Sequence, residues 1–166
     1  YDNNLEFSMD CPNNRYINDE AICQAVVAMW AKIGVKTKLN AMPRATFFPK
    51  VANGDTSIYL FGWGVPTFDA YYTLESLIRS KGKGAAGAFN YGGYSNPKVD
   101  ALIDTIKTET DDAKRNAMIQ EALSIHAKEF GTIPLHDQII PWAMKKNVKV
   151  IHRPDNRPVI EWVRID

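Results

Sequence analysis

The sequence lacks most of the features that would assign a protein to a class at once. No apolar run approaches the roughly 20 residues that cross a bilayer. Its 20 Lys and Arg residues nearly balance its 19 Asp and Glu residues, so the charge gives no general footprint for nucleic acid. It contains no phosphate loop, dinucleotide fingerprint, nucleophile elbow or zinc motif. We therefore expect no cofactor, no metal and no nucleic-acid partner.

What remains is ordinary globular composition. Of the 166 residues, 45% are hydrophobic and 11% are aromatic, which is typical of a folded chain rather than a disordered one. The length fits about one domain. The charge is uneven, however, because residues 141–166 hold six basic and three acidic side chains, whereas the preceding 140 residues have a net charge of −2. This shift indicates either an excursion onto another surface or a solvated tail.

The chain has only two cysteines, Cys11 and Cys23. Their spacing matches no metal or redox motif. Cys11 follows a predicted strand and Cys23 lies in the first turns of the next predicted helix, so the chain between them can fold back. A disulfide closing this loop would stabilise the fold by roughly 3 kcal/mol and would indicate an oxidising compartment. The alternative is a pair of partly buried free thiols.

Apolar periodicity predicts strands alternating with helices, hence an α/β fold with a mainly parallel sheet flanked by helices. The first helix should begin after Asn18, end at Gly34 and bury a face that includes Met29 and Ile33. Predicted strands cover residues 5–9, 35–39, 58–61, 133–135, 142–144 and 159–165. Further helices are predicted over residues 44–52 and 70–80, from Asn96 and Pro97, and from Thr110 or Asp111 to Phe130.

The segment after the strand over residues 58–61 is the strongest functional candidate. We expect this strand to be buried on both faces, and ligands of parallel sheets bind beyond the carboxyl ends of strands. Gly62 and Gly64 would let a ligand approach the backbone. Trp63 offers a stacking surface, and Asp69 a charge partner. The alternatives are a core tryptophan and an aspartate that caps the next helix.

The three histidines do not form an obvious catalytic site. His126 falls on the apolar face of a predicted helix, which favours a histidine at the edge of the core. His136 lies next to Asp137, but sequence neighbours on a strand point to opposite faces. A hydrolase that uses Asp69 with His136 therefore stays only as an alternative function.

Four stretches in order resemble a known family, the periplasmic solute-binding proteins of peptide- and nickel-type ABC importers, in their C-terminal part. The stretches are Arg15-Tyr16-x-Asn18 through Lys32-Ile33-Gly34-Val35, Phe61-Gly62-Trp63 with a following Asp, Phe89-Asn90-Tyr91-Gly92-Gly93-Tyr94-Ser95-Asn96-Pro97 through Ile103, and Lys114-Arg115 through Ile133-Pro134-Leu135 and Trp142 to Val148.

The resemblance implies one lobe of a two-lobed protein of the type II periplasmic-binding-protein kind, which closes on its ligand by hinge motion. Residues 1–140 would be the C-terminal ligand-binding lobe, and residues 141–166 a tail that returns across the hinge to the N-terminal lobe. The implied function is non-enzymatic: binding a peptide or other small solute in the periplasm and delivering it to an ABC permease in the inner membrane. A ligand-binding sensor or chaperone module of the same fold is the alternative.

Only some of the binding residues that the resemblance implies are present in this sequence. Peptide-binding relatives place an amine-binding aspartate where this sequence has Pro66. Arg15 lies in the loop where dipeptide-binding relatives hold the ligand carboxylate, although pairing with Asp19 is an equal alternative. The expected ligand-binding set is Arg15, Phe61, Gly62, Trp63, Asp69, Asn90 and Tyr91.

Overall fold

The computed structural model describes residues 5–166. These residues form two compact units, the first running to Ile133 and the second spanning Pro134–Asp166. No helix of the described residues combines the length and apolar character that a membrane crossing requires.

A three-stranded parallel sheet lies in the first unit, in the order β2-β1-β3. Strand β1 is Glu6–Pro12, β2 is Lys36–Met42 and β3 is Ile58–Tyr59. The register of β1 and β2 runs from Glu6 opposite Lys36 to Pro12 opposite Met42. The strands predicted over residues 5–9 and 35–39 and the parallel pairing are thus confirmed, whereas the strand predicted over residues 58–61 is limited to Ile58–Tyr59. The expectation that the third strand is buried on both faces is wrong, because β3 lies at an edge of this sheet and is half-buried.

Helix α1, Asp19–Ala31, connects β1 to β2. Asn18 occupies the predicted cap position, but its φ of 58° is left-handed and its side chain makes no capping bond within the described structure. Instead, the carboxylate of Asp19 accepts hydrogen bonds from the backbone N–H groups of Arg15 and Tyr16, at 2.9 and 3.0 Å. Asp19 therefore fixes the loop that precedes the helix.

The buried face of α1 differs from the predicted one. Cys23 and Val26 face the core, whereas Met29 and Ile33 are exposed. The disulfide between Cys11 and Cys23, which confirms that prediction, joins α1 to the end of β1. Both cysteines are fully buried and pack with Met9, so this crosslink fixes which side of α1 faces the sheet.

The remaining helices largely match their predicted bounds. Helix α2 is Arg44–Ala52, α3 is Ala70–Thr73 and continues as a π-helical turn over Leu74–Ile78, α4 is Pro97–Ile106, and α5 is Asp112–Lys128. Asn96 caps α4 by accepting from the N–H groups of Lys98 and Val99, and Asp111 caps α5 by accepting from that of Lys114. Local polar chemistry therefore sets both helix starts, as predicted.

The last turns of α5 depart from the predicted apolar face. His126 is 6% exposed, which confirms its place at the edge of the core. The predicted helix extends to Phe130, but α5 ends before this residue, its φ is 53°, and its side chain is 82% exposed. The buried residues of α5 are Ile119, Ala122 and His126.

The second unit contains little regular structure. Strands β4, Val148–Lys149, and β5, Arg164–Ile165, pair antiparallel, and a single 3₁₀ turn covers Ile160–Trp162. The strands predicted over residues 133–135 and 142–144 do not form, and the strand predicted over residues 159–165 forms only at Arg164–Ile165. Residues 134–166 include four of the nine prolines, and proline cannot donate to a sheet ladder.

Candidate functional site

The carboxyl ends of β1 and β3 place two loops side by side, because parallel strands end at one edge of a sheet. Tyr16 in the loop after β1 donates a long hydrogen bond of 3.4 Å from its hydroxyl to the carbonyl of Gly62, which follows β3. Its ring lies so close to Gly62 that a Cβ added there would be 2.6 Å from Tyr16 Cε1. Gly62 is therefore required for the close approach of the two loops.

Aromatic side chains alternate along the extended chain at Tyr59, Phe61 and Trp63, and alternate residues of an extended chain share one face. The ring centroids are 6.2 Å apart for Tyr59 and Phe61, and 6.1 Å apart for Phe61 and Trp63. The three rings therefore form a row along one face of this segment.

Three more rings extend this row. Tyr72 of α3 stacks on Trp63 with centroids 5.4 Å apart and planes 21° apart. Phe89 lies 5.3 Å from Trp63, and Tyr91 lies 5.8 Å from Phe61, both edge-on. These distances fall in the range that aromatic pairs prefer. We refer to Phe61, Trp63, Tyr72, Phe89 and Tyr91 as the aromatic wall.

Two cations border the wall. The guanidinium carbon of the exposed Arg15 lies 4.9 Å from the ring centroid of Tyr16. The alternative pairing with Asp19 is not seen, because the Asp19 carboxylate binds the backbone rather than the guanidinium; we find no ion pair for Arg15 within residues 5–166. The ammonium of Lys81 lies 5.8 Å from the ring centroid of Tyr91.

Asp69 is already engaged within the fold. Its Oδ1 accepts hydrogen bonds from the N–H of Tyr71 and from Arg115 Nη2, each at 2.8 Å. The first contact confirms the helix-cap alternative for Asp69. The hydrogen bond from Arg115, with that from Tyr71, holds the pKa of Asp69 below its usual value. A carboxylate held ionised in this way is a poor candidate for the acid of a hydrolase.

Asn90 has a structural role in place of the predicted position facing a cleft. It is only 4% exposed. Its amide nitrogen donates to the carbonyls of Arg79 and Tyr94, at 2.9 and 2.7 Å, and its Oδ1 accepts from the N–H of Tyr94 at 3.1 Å. Asn90 thus holds the loop that carries Phe89 and Tyr91.

Other parts of the described chain contain no stronger candidate for a binding site. Residues 5–166 contain no group of three His, Cys, Asp or Glu side chains placed to hold a metal ion. Two open depressions lie within the second unit, one beside His152 and Arg153 and one beside Trp162 and Arg164. Neither includes a residue of the predicted binding set.

Part of the wall is predictable from the sequence, because Phe61, Trp63 and Tyr91 belong to the expected ligand-binding set. That set does not include Tyr72 and Phe89 of the wall, nor Tyr16 and Lys81 beside it. Tyr72 lies on α3, Phe89 and Lys81 lie in the loop between the π-helical turn and α4, and Tyr16 lies in the loop after β1. The alternate aromatic spacing of residues 59, 61 and 63 was a usable signal for the row itself.

Comparison with known proteins identifies the family. The sequence profile of a family described as bacterial extracellular solute-binding proteins, family 5 Middle, matches residues 1–85. The chain belongs to family 5 of the bacterial extracellular solute-binding proteins. This confirms the resemblance found from the four ordered stretches.

Individual family 5 relatives support the assignment. The chain is 31% identical to the oligopeptide-binding protein OppA of Bacillus subtilis over 143 residues, which are 84% of this chain and 25% of that protein. It is 30% identical over 132 residues to the probable D,D-dipeptide-binding periplasmic protein DdpA of Escherichia coli, covering 80% of this chain and 25% of that protein. The chain thus spans about a quarter of the length of these relatives.

Solved structures show the same fold. The periplasmic binding protein DppA from Helicobacter pylori, in complex with the peptide STSA, superposes with a TM-score of 0.78 at 19% identity over 98% of this chain and 31% of that one. HbpA2 from Haemophilus parasuis gives a TM-score of 0.76 at 22% identity, over all of this chain and 33% of that one. At these identities the match establishes the fold, which is the predicted periplasmic-binding-protein-like α/β lobe.

Proposed function

We propose that this chain is the ligand-binding part of the substrate-binding component of an ABC importer. It binds a peptide or other small solute against the aromatic wall and delivers it to a permease in the inner membrane. The observation that carries this proposal is the wall itself, bordered by the exposed guanidinium of Arg15, at the carboxyl edge of the parallel sheet, where ligands of such sheets bind. Relatives named for oligopeptide and di- or tripeptide binding support it.

The wall and Arg15 would bind different parts of the ligand. Phe61, Trp63 and Tyr91 supply stacking and apolar area. Gly62 leaves room for the Tyr16 ring on which Arg15 lies, and the guanidinium of Arg15 would bind a carboxylate through two parallel hydrogen bonds.

The segment after Trp63 offers no free carboxylate for a ligand amine. Pro66 stands where peptide-binding relatives have one, and Asp69 is paired with Arg115. We therefore propose that Asp69 acts through the fold, and that a ligand needs its carboxylate more than its amine.

The same proposal covers the larger protein to which this chain belongs and the compartment in which that protein works. Residues 1–140 form the C-terminal lobe of a protein whose N-terminal lobe closes over the ligand, and residues 141–166 return toward that lobe. The protein works in the periplasm, which agrees with its disulfide, since such crosslinks persist in oxidising compartments. It performs no chemistry on the ligand, because a difference in affinity between open and closed states is sufficient for transport.

The test uses three forms of one peptide: Ala-Phe-Ala with free ends, its N-acetyl form and its C-terminal amide. Binding is followed by calorimetry and by the indole ¹H–¹⁵N signal of Trp63, assigned with Trp63→Phe. We expect acetylation to leave affinity nearly unchanged and amidation to weaken it about tenfold, the size of a lost charge-assisted hydrogen bond. Arg15→Gln should remove the difference, whereas Arg157→Gln, an exposed arginine in the second unit, should not.

Two results would count against this function. One is that none of the peptides perturbs the Trp63 signal at millimolar concentration. The other is cleavage of the peptide, seen by mass spectrometry and lost in Asp69→Asn, which would favour the hydrolase alternative.

A further inference from the structure

Arg115 connects α5 to the segment that carries the aromatic wall. Its Nη2 donates to Asp69 Oδ1 at 2.8 Å, and its Nε donates to the carbonyl of Ile106, the last residue of α4, at 3.4 Å. The Arg115 side chain is only 22% exposed, against 42% for Asp69. One planar guanidinium therefore ties α3, α4 and α5 together at the point where α3 begins.

Asp69 transfers this constraint to α3. The oxygen that binds Arg115 also accepts from the N–H of Tyr71 and so caps the helix. Helix α3 begins at the residue after Asp69 and continues into the π-helical turn, so a shift of the capping residue acts first on the turn that carries Tyr72 and Thr73.

Two side chains of α3 hold Trp63. Tyr72 stacks on the indole ring, 5.4 Å between centroids, and the hydroxyl of Thr73 accepts a 3.1 Å hydrogen bond from Trp63 Nε1. The stack fixes one face of the indole and the hydrogen bond fixes its edge. Both constraints come from the same short helix, which is anchored by Asp69 and Arg115.

We propose that Arg115 is a positioning residue for Trp63: through Asp69 and α3 it sets the orientation of the indole in the aromatic wall and thereby the affinity for ligand. Arg115 lies on α5, which carries none of the wall residues. The effect on affinity rests on the function proposed above, whereas the effect on the indole does not.

The chemistry requires a guanidinium rather than a positive charge alone. Arginine donates to Asp69 and to the Ile106 carbonyl from one rigid plane, and a lysine ammonium cannot reproduce this fork. Arg115→Lys should therefore keep the Trp63 signal closer to its wild-type position than Arg115→Gln does. Asp69→Asn keeps an oxygen for the Tyr71 N–H but loses the charge-assisted bond to Arg115.

The experiment measures the indole ¹H–¹⁵N signals of the ligand-free chain, which has four tryptophans, and then the affinity for Ala-Phe-Ala. Arg115→Gln and Asp69→Asn should move the Trp63 signal in the same direction and leave that of Trp30, in the same unit, in place. The double variant should shift it no further than either single one. Each single variant should weaken peptide binding about tenfold.

Lys98→Gln is the matched control. Lys98 lies on α4 and pairs with Glu121 of α5, so its loss removes the same charge and a contact between the same two helices, away from the wall. It should leave the Trp63 signal and the peptide affinity unchanged.

The inference is overturned if the Trp63 signal stays in place in Arg115→Gln, or if Lys98→Gln moves it equally. If wild-type chain binds no peptide but the Trp63 signal still moves as expected, the proposed function fails and the positioning role stands.

Discussion

The ring of Tyr16 lies so close to Gly62, 46 residues away in the sequence, that a side chain at residue 62 would collide with it. This contact joins the loops after β1 and β3 into one surface. Arg15 lies over the same tyrosine ring, so the position of its guanidinium depends on the absence of a side chain at residue 62.

Gly62→Ala should therefore displace the Tyr16 ring. The half-buried ring can swing outward, so we expect a loss of only about 1 kcal/mol in unfolding free energy, the lower end of the cost of overpacking. Binding of a peptide with a free carboxylate should weaken more than this loss suggests, because Arg15 moves with Tyr16. Urea unfolding and calorimetric titration check the two effects.

Gly64→Ala is the control, since a Cβ at Gly64 would meet no atom of the described structure within 4 Å. It should change stability by less than about 0.5 kcal/mol, as surface substitutions do. Equal effects of the two alanines on binding would contradict the importance of the Tyr16 contact.

Features that depend on neighbouring residues were predictable from the sequence. Apolar spacing gave α2 its observed bounds, and the caps at Asn96 and Asp111 follow from side chains that bond N–H groups two or three residues on. The edge of the sheet that carries the wall was also predictable, because it requires only that the strands be parallel.

Features that depend on distant pairs were not predictable in the same way. The sequence does not say that Tyr16 packs on Gly62 or that Arg115 binds Asp69, and each pair is separated by 46 residues. The face of α1 was misassigned because Met29 and Ile33 fit a helical stripe as well as Cys23 does. The disulfide to Cys11 decides between the two faces.

The Cys11–Cys23 disulfide should be a major source of stability for the sheet and α1. It spans 12 residues and both sulfurs are fully buried. Removing it in Cys11→Ala/Cys23→Ala should lower the unfolding free energy by about 3 kcal/mol through the larger entropy of the unfolded chain. Urea unfolding of the double variant measures this loss, and reduction of the wild-type chain should reproduce most of it. An unchanged midpoint in the double variant would contradict the prediction.

Asp10 and Lys50 form an ion pair, 2.6 Å between Nζ and Oδ2, whose carboxylate is fully buried in the centre of the sheet. Burial works to raise the pKa of Asp10, but the hydrogen bonds donated by Lys50 and Asn40 oppose it, and the pKa lies below the usual value. Lys50→Met would leave this buried charge uncompensated and should cost about 3 kcal/mol.

Asp10→Asn in the Lys50→Met background should recover part of that loss, because no unpaired charge then remains. Lys38→Met, an exposed lysine on β2, should stay within about 0.5 kcal/mol of wild type. A loss in Lys50→Met no larger than that in Lys38→Met, by urea unfolding, would show that the pair does not stabilise the sheet.

His126 should make the first unit less stable in mild acid. Burial lowers its pKa, although the carboxylate of Glu129 acts in the opposite direction. The Tyr94 ring packs edge-on against the imidazole at 4.6 Å, and Thr132 Oγ1 lies 3.1 Å from Nε2. Nδ1 is buried with no partner among the described residues, so a proton added there would have no acceptor.

The direction in which stability changes with pH follows from this lowered pKa of His126. Above the unfolded value of about 6.5 both states are neutral and the full stability is present. As the pH falls below 6.5, the unfolded chain takes up a proton that the folded chain resists, and stability is lost until the folded pKa is reached. Urea unfolding at pH 7.5 and 5.5 should show a larger loss in wild type than in His126→Gln. His136→Gln, an exposed histidine of the second unit, should behave as wild type, and an equal pH dependence in His126→Gln would remove His126 as the cause.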